Sequence, residues 1–165
     1  MHYLSLANNL YIKRNHPVSL VHFITDRCNA RCPHCFIDFD GEEHGKGDLT
    51  LKEIHKISKN MGPHLMNINL TGGEPFLRKD IADIAHCYFA NTSIESIFIT
   101  THGGFPDRIA KFAKILHPEL GKKKIIFSFS IDDFEEKHNH NRKVKNLFDN
   151  VLESYKIIKG AGDNF

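Results

Sequence analysis

The stretch that decides the fold is residues 18–35, VSLVHFITDRCNARCPHC, where an apolar run leads directly into a loop with three cysteines. Residues 18–24 have the length and apolar character of a buried strand. The loop then places Cys28, Cys32 and Cys35 within eight residues, at a CxxxCxxC spacing. Three thiols this close together, directly after a strand, indicate a metal centre at the carboxyl end of that strand.

The number of thiols bears on which metal group the loop holds. Iron–sulfur clusters take thiolate ligands and usually take four, so a [4Fe–4S] cluster held by three keeps one iron open to another molecule. Three cysteines cannot all pair off into disulfides among themselves. Zinc is the remaining alternative, with His34 as a fourth ligand. His34 and Cys35 are adjacent, which makes it awkward to aim both at one ion, and CxxxCxxC is not the paired CxxC spacing of zinc sites.

A second motif, Thr71-Gly72-Gly73-Glu74-Pro75, follows the alternating run of residues 66–70, a predicted strand. Two glycines let the backbone bend and approach a ligand closely. A carboxylate directly after them can receive a cationic group such as an ammonium. Taken alone, the motif is also compatible with an ordinary turn, because Gly and Pro punctuate many loops.

The two motifs together resemble those of the radical S-adenosylmethionine enzymes. The resemblance implies that Cys28, Cys32 and Cys35 hold a [4Fe–4S] cluster whose open iron is chelated by the amino and carboxylate groups of S-adenosylmethionine. It implies that one-electron reduction cleaves the sulfonium to a 5′-deoxyadenosyl radical, which takes a hydrogen atom from a substrate. The implied partners are that substrate and an electron donor such as flavodoxin or ferredoxin.

The resemblance also assigns residues to S-adenosylmethionine. It places Gly72, Gly73 and Glu74 at the methionyl amino group. It places His34 in the aromatic position before the third cysteine, where the family's backbone contacts the adenine.

Later segments are similar to further motifs of the family, with departures. Residues 100–103, TTHG, resemble its TNG motif, with His102 where Asn is common. Residues 130–133, SIDD, resemble its S(L/I)DG motif, and residues 138–142, HNHNR, resemble HDxxR. By this similarity, Ser130 and Arg142 approach the ribose or the methionyl carboxylate, which the Arg fork suits.

The alternation of predicted strands and helices indicates a parallel sheet with right-handed crossovers. The predicted fold class is α/β, an incomplete (β/α)6 partial TIM-like barrel with about four β/α units. Every candidate site residue then falls in a loop after a strand, where barrel folds place their chemistry. Residues 16–165 are assigned to the radical S-adenosylmethionine core domain, expected to be truncated before strands five and six. Residues 1–15 form a leading segment without assignment, which could fold over a sheet edge.

The predicted elements follow from periodicity and from helix-end signals. Four strands are expected, at residues 18–24, 66–70, 94–100 and 125–131. Thr50 and Glu53 predict a capping box, Asp80 predicts a second helix start, Pro106 predicts a third, and one long helix is predicted over residues 144–158. Cys87 falls in a helical pattern as a small buried residue.

The composition of the chain does not point to one class of binding partner. Lys and Arg number 22 and Asp and Glu number 20, a net charge of +2, and no basic tract is interleaved with aromatics, so nucleic acid has no direct support. No apolar run approaches membrane-spanning length. Reduced thiols fit a cytoplasmic chain.

The motifs are most similar in style to the group that contains molybdenum-cofactor biosynthesis protein A and the peptide-maturing SPASM enzymes. The substrate is then a peptide, a nucleotide or a cofactor precursor, and a complementing C-terminal half is a possible partner. Two other functions stay open: a non-catalytic iron–sulfur protein for electron transfer or scaffolding, or an inactive fragment; and a zinc-stabilised binding module. The TGGEP motif favours the radical enzyme, since neither other function needs that carboxylate.

Overall fold

The core of the molecule is one parallel sheet of four strands. In the computed structural model, which describes residues 7–13 and 16–165, these are β1 (Ser19–Thr25), β2 (Asn67–Gly72), β3 (Ser96–Thr101) and β4 (Lys124–Phe129). Their order in the sheet is β1-β2-β3-β4, and each neighbouring pair is parallel. Chain order and sheet order coincide, which is the singly wound arrangement of a barrel and confirms the predicted α/β class.

The helices lie between the strands and after the last one. They are α1 (Leu51–Met61), α2 (Ile81–Asn91), α3 (Pro106–Leu120), α4 (Glu135–Arg142) and α5 (Leu147–Gly160). Three shorter helical turns are Asn9–Lys13, Gly62–His64 and Pro75–Leu77. None of the helices in this described part of the chain is long and apolar enough to cross a membrane.

The start of α1 confirms the predicted capping box. The Thr50 hydroxyl accepts a hydrogen bond from the Glu53 main-chain N–H at 3.3 Å, and the Glu53 carboxylate accepts one from the Thr50 N–H at 2.8 Å. Asp80 does occupy the residue before α2, but its carboxylate makes no capping bond. Instead it pairs with the Arg78 guanidinium at 2.6 and 2.9 Å, which lowers the pKa of Asp80.

The end of the chain differs from the single long helix predicted for residues 144–158. Two helices are present, and the four residues between them include Lys143 and Asn146, both with φ of +55°. A left-handed backbone conformation interrupts a right-handed helix, and Asn tolerates it better than most residues. Val144 therefore lies in the connection, and the buried stripe of α5 begins at Leu147.

The hydrophobic core lies on only one face of the sheet. The strand residues on that face are buried against the helices, and from α3 the predicted inward-facing residues Ile109, Phe112, Ala113 and Leu116 are all buried. The opposite face is more exposed and mixed in character. It carries the apolar residues Val21, Phe23, Phe98 and Ile126 and the polar residues Asn69, Thr100 and Ser128. The Thr100 hydroxyl donates to the Asn69 side-chain oxygen at 3.2 Å across β2 and β3 on this face.

The last strand, β4, lies at one side of the sheet. The main-chain N–H of Ile125 donates to the carbonyl oxygen of Asn164 at 2.8 Å, so residues near Asn164 pair with the start of this strand. The segment 1–15, predicted as a possible edge cover, lies partly outside the described residues. Of its described part, Asn9 exchanges side-chain hydrogen bonds with the main chain of His16.

Candidate functional site

The three cysteines of the loop after β1 are free and half-buried. The Cys35 N–H donates to the Cys32 carbonyl at 3.1 Å, and the Ala30 N–H donates to the Cys28 sulfur at 3.3 Å. Burial raises the pKa of Cys28 to about 11, an effect to which negative charge on Glu74, Cys32 and Cys35 adds, and burial also raises the pKa of Cys32. The metal-free thiols of Cys28 and Cys32 are therefore protonated at neutral pH, and metal binding must displace their protons.

Arg31 holds this loop in shape from within. Its guanidinium donates to the carbonyl oxygens of Cys28 and Ala30 at 2.7 and 2.8 Å, and it lies over the ring of Phe39 at 4.0 Å. Its main-chain N–H donates to the carbonyl of Arg142 at 3.1 Å, which ties the loop to the end of α4.

The donor set fits a cluster because thiolates are the ligands that iron–sulfur clusters take from proteins. Three free thiols share one loop. Among residues 7–13 and 16–165, no three His, Cys, Asp or Glu side chains, the three cysteines included, converge on a position that could hold one metal ion. The ring of His34, the proposed fourth zinc ligand, is 62% exposed and lies 4.0 Å from Asp132.

The glycine turn after β2 packs directly on the backbone that begins the cysteine loop. The Gly73 N–H donates to the Thr25 carbonyl and the Glu74 N–H to the Arg27 carbonyl, both at 2.8 Å. A Cβ on Gly72, which has φ of +144°, would lie 2.1 Å from the Thr25 oxygen, and one on Gly73 would lie 2.2 Å from the Arg27 oxygen. Only glycine fits this approach, so the two sequence motifs form one site.

Glu74 lies beneath this turn, and its side chain is fully buried. One carboxylate oxygen accepts hydrogen bonds from the Phe76 N–H at 3.0 Å and from the Thr101 hydroxyl at 2.7 Å. The other accepts from the His102 N–H at 2.9 Å. The carboxylate therefore links the loops after β2 and β3.

His102, which the sequence showed only as a departure from a motif, is a buried member of the site. Its Nδ1 accepts from the Gly104 N–H at 2.9 Å, so Nε2 carries the proton and donates to the Asn29 side-chain oxygen at 2.8 Å. Burial lowers the pKa of His102, with Arg142 adding to the lowering and Glu74 opposing it. The ring is therefore neutral at neutral pH.

Arg142 and Ser130 come to the same end of the sheet. The Arg142 guanidinium makes two hydrogen bonds to Asp132, at 2.9 and 2.5 Å, and is mostly buried. Two of its five N–H donors are thus used, and three remain for a ligand or water. The half-buried Ser130 directly follows β4, and its N–H donates to the Thr101 carbonyl at 2.9 Å.

The predicted site residues therefore lie in loops after strands, except Gly72 at the end of β2 and Arg142 at the end of α4. The model of the Radical SAM superfamily matches residues 23–164, nearly the whole chain. The chain belongs to the radical SAM superfamily. This confirms the predicted resemblance, and the predicted cofactors, a [4Fe–4S] cluster and S-adenosylmethionine, are those of this superfamily.

Several sequence relatives in this superfamily carry the name GTP 3′,8-cyclase. The protein of Haemophilus influenzae (strain PittEE) is 34% identical over 146 residues, which are 86% of this chain and 41% of the relative. The protein of Shewanella denitrificans is 33% identical over 132 residues, which are 78% of this chain and 37% of the relative. The chain thus spans about two fifths of the length of the curated relatives it matches.

Solved structures share the fold. Native anSMEcpe with bound AdoMet superposes with a TM-score of 0.66 at 22% identity, covering 88% of this chain and 41% of the other. SuiB of Streptococcus suis, bound to its precursor peptide SuiA, gives a TM-score of 0.67 at 20% identity, covering 98% of this chain and 34% of the other. At these identities the likeness shows the fold, and it confirms the partial TIM-like barrel.

Proposed function

We propose that this chain forms the part of a radical SAM enzyme that holds the [4Fe–4S] cluster and S-adenosylmethionine. The observation that carries the proposal is the direct contact between its two motifs. The Gly73 and Glu74 N–H groups bond to the backbone that leads into the cysteine loop, at 2.8 Å each. A group bound by the cysteine loop would therefore lie next to the glycine turn.

In this proposal Cys28, Cys32 and Cys35 are the cluster ligands. When bound, the reduced cluster and S-adenosylmethionine supply reductive cleavage of the sulfonium and hydrogen-atom abstraction from a substrate. The chain's own residues orient these groups and keep the surroundings of Cys28 partly desolvated.

The first proposed cofactor contact is with the methionyl amino group. We assign that group to the main chain of Gly72 and Gly73 and to the Glu74 carboxylate, as the sequence predicts. Three protein donors take three of the roughly four lone-pair positions of this carboxylate, so one acceptor position is left for the ammonium.

The remaining contacts are with the carboxylate, the ribose and the adenine. We assign the free N–H groups of Arg142 to the methionyl carboxylate and Ser130 to that carboxylate or the ribose. His34, which precedes Cys35, contributes its backbone to the adenine.

The substrate and partners belong to the same proposal. The relatives in sequence are named as cyclases of GTP, and one structural neighbour is bound to a precursor peptide, so a nucleotide, a peptide or a cofactor precursor suits this superfamily member. A flavodoxin or ferredoxin as electron donor, a complementing C-terminal half and a cytoplasmic location complete it.

Anaerobic reconstitution of the chain with iron and sulfide tests the proposal. We expect the visible and electron paramagnetic resonance spectra of a [4Fe–4S] cluster, changed on addition of S-adenosylmethionine. A chain that takes one zinc ion and rejects iron would be the zinc-stabilised module instead. A cluster whose spectra do not change when S-adenosylmethionine is added would indicate a protein for electron transfer or scaffolding.

Replacing Glu74 with glutamine is expected to destabilise the turn and weaken cofactor binding. The amide –NH₂ must face either the Phe76 N–H or the His102 N–H, so one buried donor loses its acceptor. The free energy of unfolding should fall by about 1–3 kcal/mol, measured by denaturant titration. Binding of S-adenosylmethionine to the cluster-loaded chain should weaken by about 1.5–3 kcal/mol as the charge is lost, while the cluster itself survives. Glu119→Gln, at an exposed carboxylate, is the control; equal stability and affinity in both variants would refute these roles.

Arg142→Lys is expected to weaken S-adenosylmethionine binding about tenfold or more, because lysine keeps the charge but loses the fork that matches a carboxylate. The matched variant is Asp132→Asn, which disrupts the ion pair and leaves the guanidinium in place. Equilibrium titration of the cluster-loaded variants should show the loss only for Arg142→Lys. Equal losses in both variants would mean that Arg142 acts only through its pair with Asp132.

A further inference from the structure

His102 lies where the loops after three strands meet. It belongs to the loop after β3, its main-chain N–H bonds to Glu74 after β2, and its ring bonds to Asn29 in the cysteine loop after β1. The ring is almost fully enclosed, and at its other side Nδ1 accepts from Gly104 of its own loop. A single side chain thus spans the site.

The ring can make these two bonds only in one orientation and one tautomer. Gly104 presents an N–H, so Nδ1 must be the unprotonated nitrogen. Nε2 then carries the hydrogen, and the Asn29 oxygen, 2.8 Å away, accepts it. The Glu74 carboxylate lies 3.4 Å from the same Nε2 and favours the same tautomer. The Gly104 bond therefore fixes the ring, and the fixed ring directs its donor at Asn29.

Asn29 is the residue directly after Cys28, and its side chain connects the cysteine loop to the loop after β3. Asn29 itself is exposed, although its side-chain oxygen reaches the buried ring. Two main-chain bonds hold the loop from other elements: the Glu74 N–H donates to the Arg27 carbonyl just before Cys28, and the Arg31 N–H donates to the Arg142 carbonyl after it. The Asn29 bond is thus the support nearest to Cys28 that comes from the loop after β3.

We propose that His102 is a positioning residue for the cluster ligands, which fixes the cysteine loop beside Cys28 through its hydrogen bond to Asn29. This proposal rests on the proposed function, because it assumes that the cysteine loop holds the cluster. The hydrogen bond between His102 and Asn29 is present in the metal-free chain and can be tested without a cluster.

Two substitutions of His102 separate its two bonds. In His102→Asn the short amide can still accept from Gly104, as Nδ1 does, but cannot reach Asn29. In His102→Gln the longer amide can reach Asn29 as a donor, as Nε2 does. Asn29→Ala removes the acceptor of the same bond. The double variant His102→Asn/Asn29→Ala completes a double-mutant cycle.

The first measurement uses the metal-free chain and a thiol reagent such as dithionitrobenzoate, with Cys87 in α2 as the internal reference. We expect His102→Asn and Asn29→Ala each to raise the reaction rate of the loop thiols about fivefold, the factor for one ordinary hydrogen bond. His102→Gln should stay within about twofold of the parent chain. The double variant should react no faster than either single variant, because all three lose the same bond.

The second measurement follows iron release to a chelator from the reconstituted variants, which should show the same ranking. Loop-thiol rates that are unchanged in His102→Asn, or a double variant in which the two effects multiply, would overturn the proposal. So would a His102→Gln variant as reactive as His102→Asn. If the parent chain binds no iron, the proposed function fails, but the thiol rates still decide the role of His102.

Discussion

Replacing any one of Cys28, Cys32 and Cys35 with alanine is expected to leave the anaerobically reconstituted chain with little or no cluster. A cluster held by three thiolates has no spare protein ligand, and losing one leaves two irons open. The measurement is iron and acid-labile sulfide per chain, together with the visible absorption of the cluster.

Cys87→Ala is the matched control for this series. Cys87 lies in α2, where its sulfur is 3.8 Å from a ring nitrogen of His55 on α1. Its replacement should leave the iron content unchanged. A variant of Cys32 with full iron content, or a Cys87 variant without iron, would mean that the ligand set is assigned wrongly.

Gly73→Ala is expected to have a large effect for a single added methyl group. The new Cβ would lie 2.2 Å from the Arg27 carbonyl oxygen and 2.6 Å from its carbon, both main-chain atoms next to Cys28. Such a contact cannot be relieved by a side-chain rotation, so either the turn or the cysteine loop must move. We expect a loss of about 3 kcal/mol or more in the free energy of unfolding, the upper part of the range for overpacking.

Gly47→Ala is the control for that variant, since a Cβ there meets nothing within 4 Å. Denaturant titration gives the stability of both variants, and reconstitution with iron reports on the loop. Gly73→Ala should also lose most of its cluster, because the displaced backbone carries the first ligand. A Gly73 variant as stable and as iron-loaded as the Gly47 variant would show that the close contact is not maintained in solution.

The sequence predicted the architecture because each element carries its own local signal. The alternation of side chains along residues 125–131 identified β4, the capping box at Thr50 identified α1, and strands alternating with helices implied parallel pairing. These signals depend on neighbours in the chain, so one sequence is enough to find them.

Contacts between distant segments left no such signal. The burial of Glu74 depends on Thr101 and His102, nearly thirty residues later, and the orientation of Arg142 depends on its pair with Asp132. The break between α4 and α5 was the exception, since Asn146 in a left-handed conformation is a local cause. The apolar pattern of the sequence did not reveal this break, because Val144 matches the helical spacing although it lies between the two helices.

The two faces of the sheet have different consequences for how this protein can change over evolution. Folding free energy comes mainly from the face covered by helices, where a substitution such as Ile99→Ala would open a cavity. On the opposite face, the polar residues Asn69, Thr100 and Ser128 contribute little packing. New side chains can appear there at small cost to stability, so a lineage with this framework can acquire new substrates while the fold and the cysteine loop stay the same.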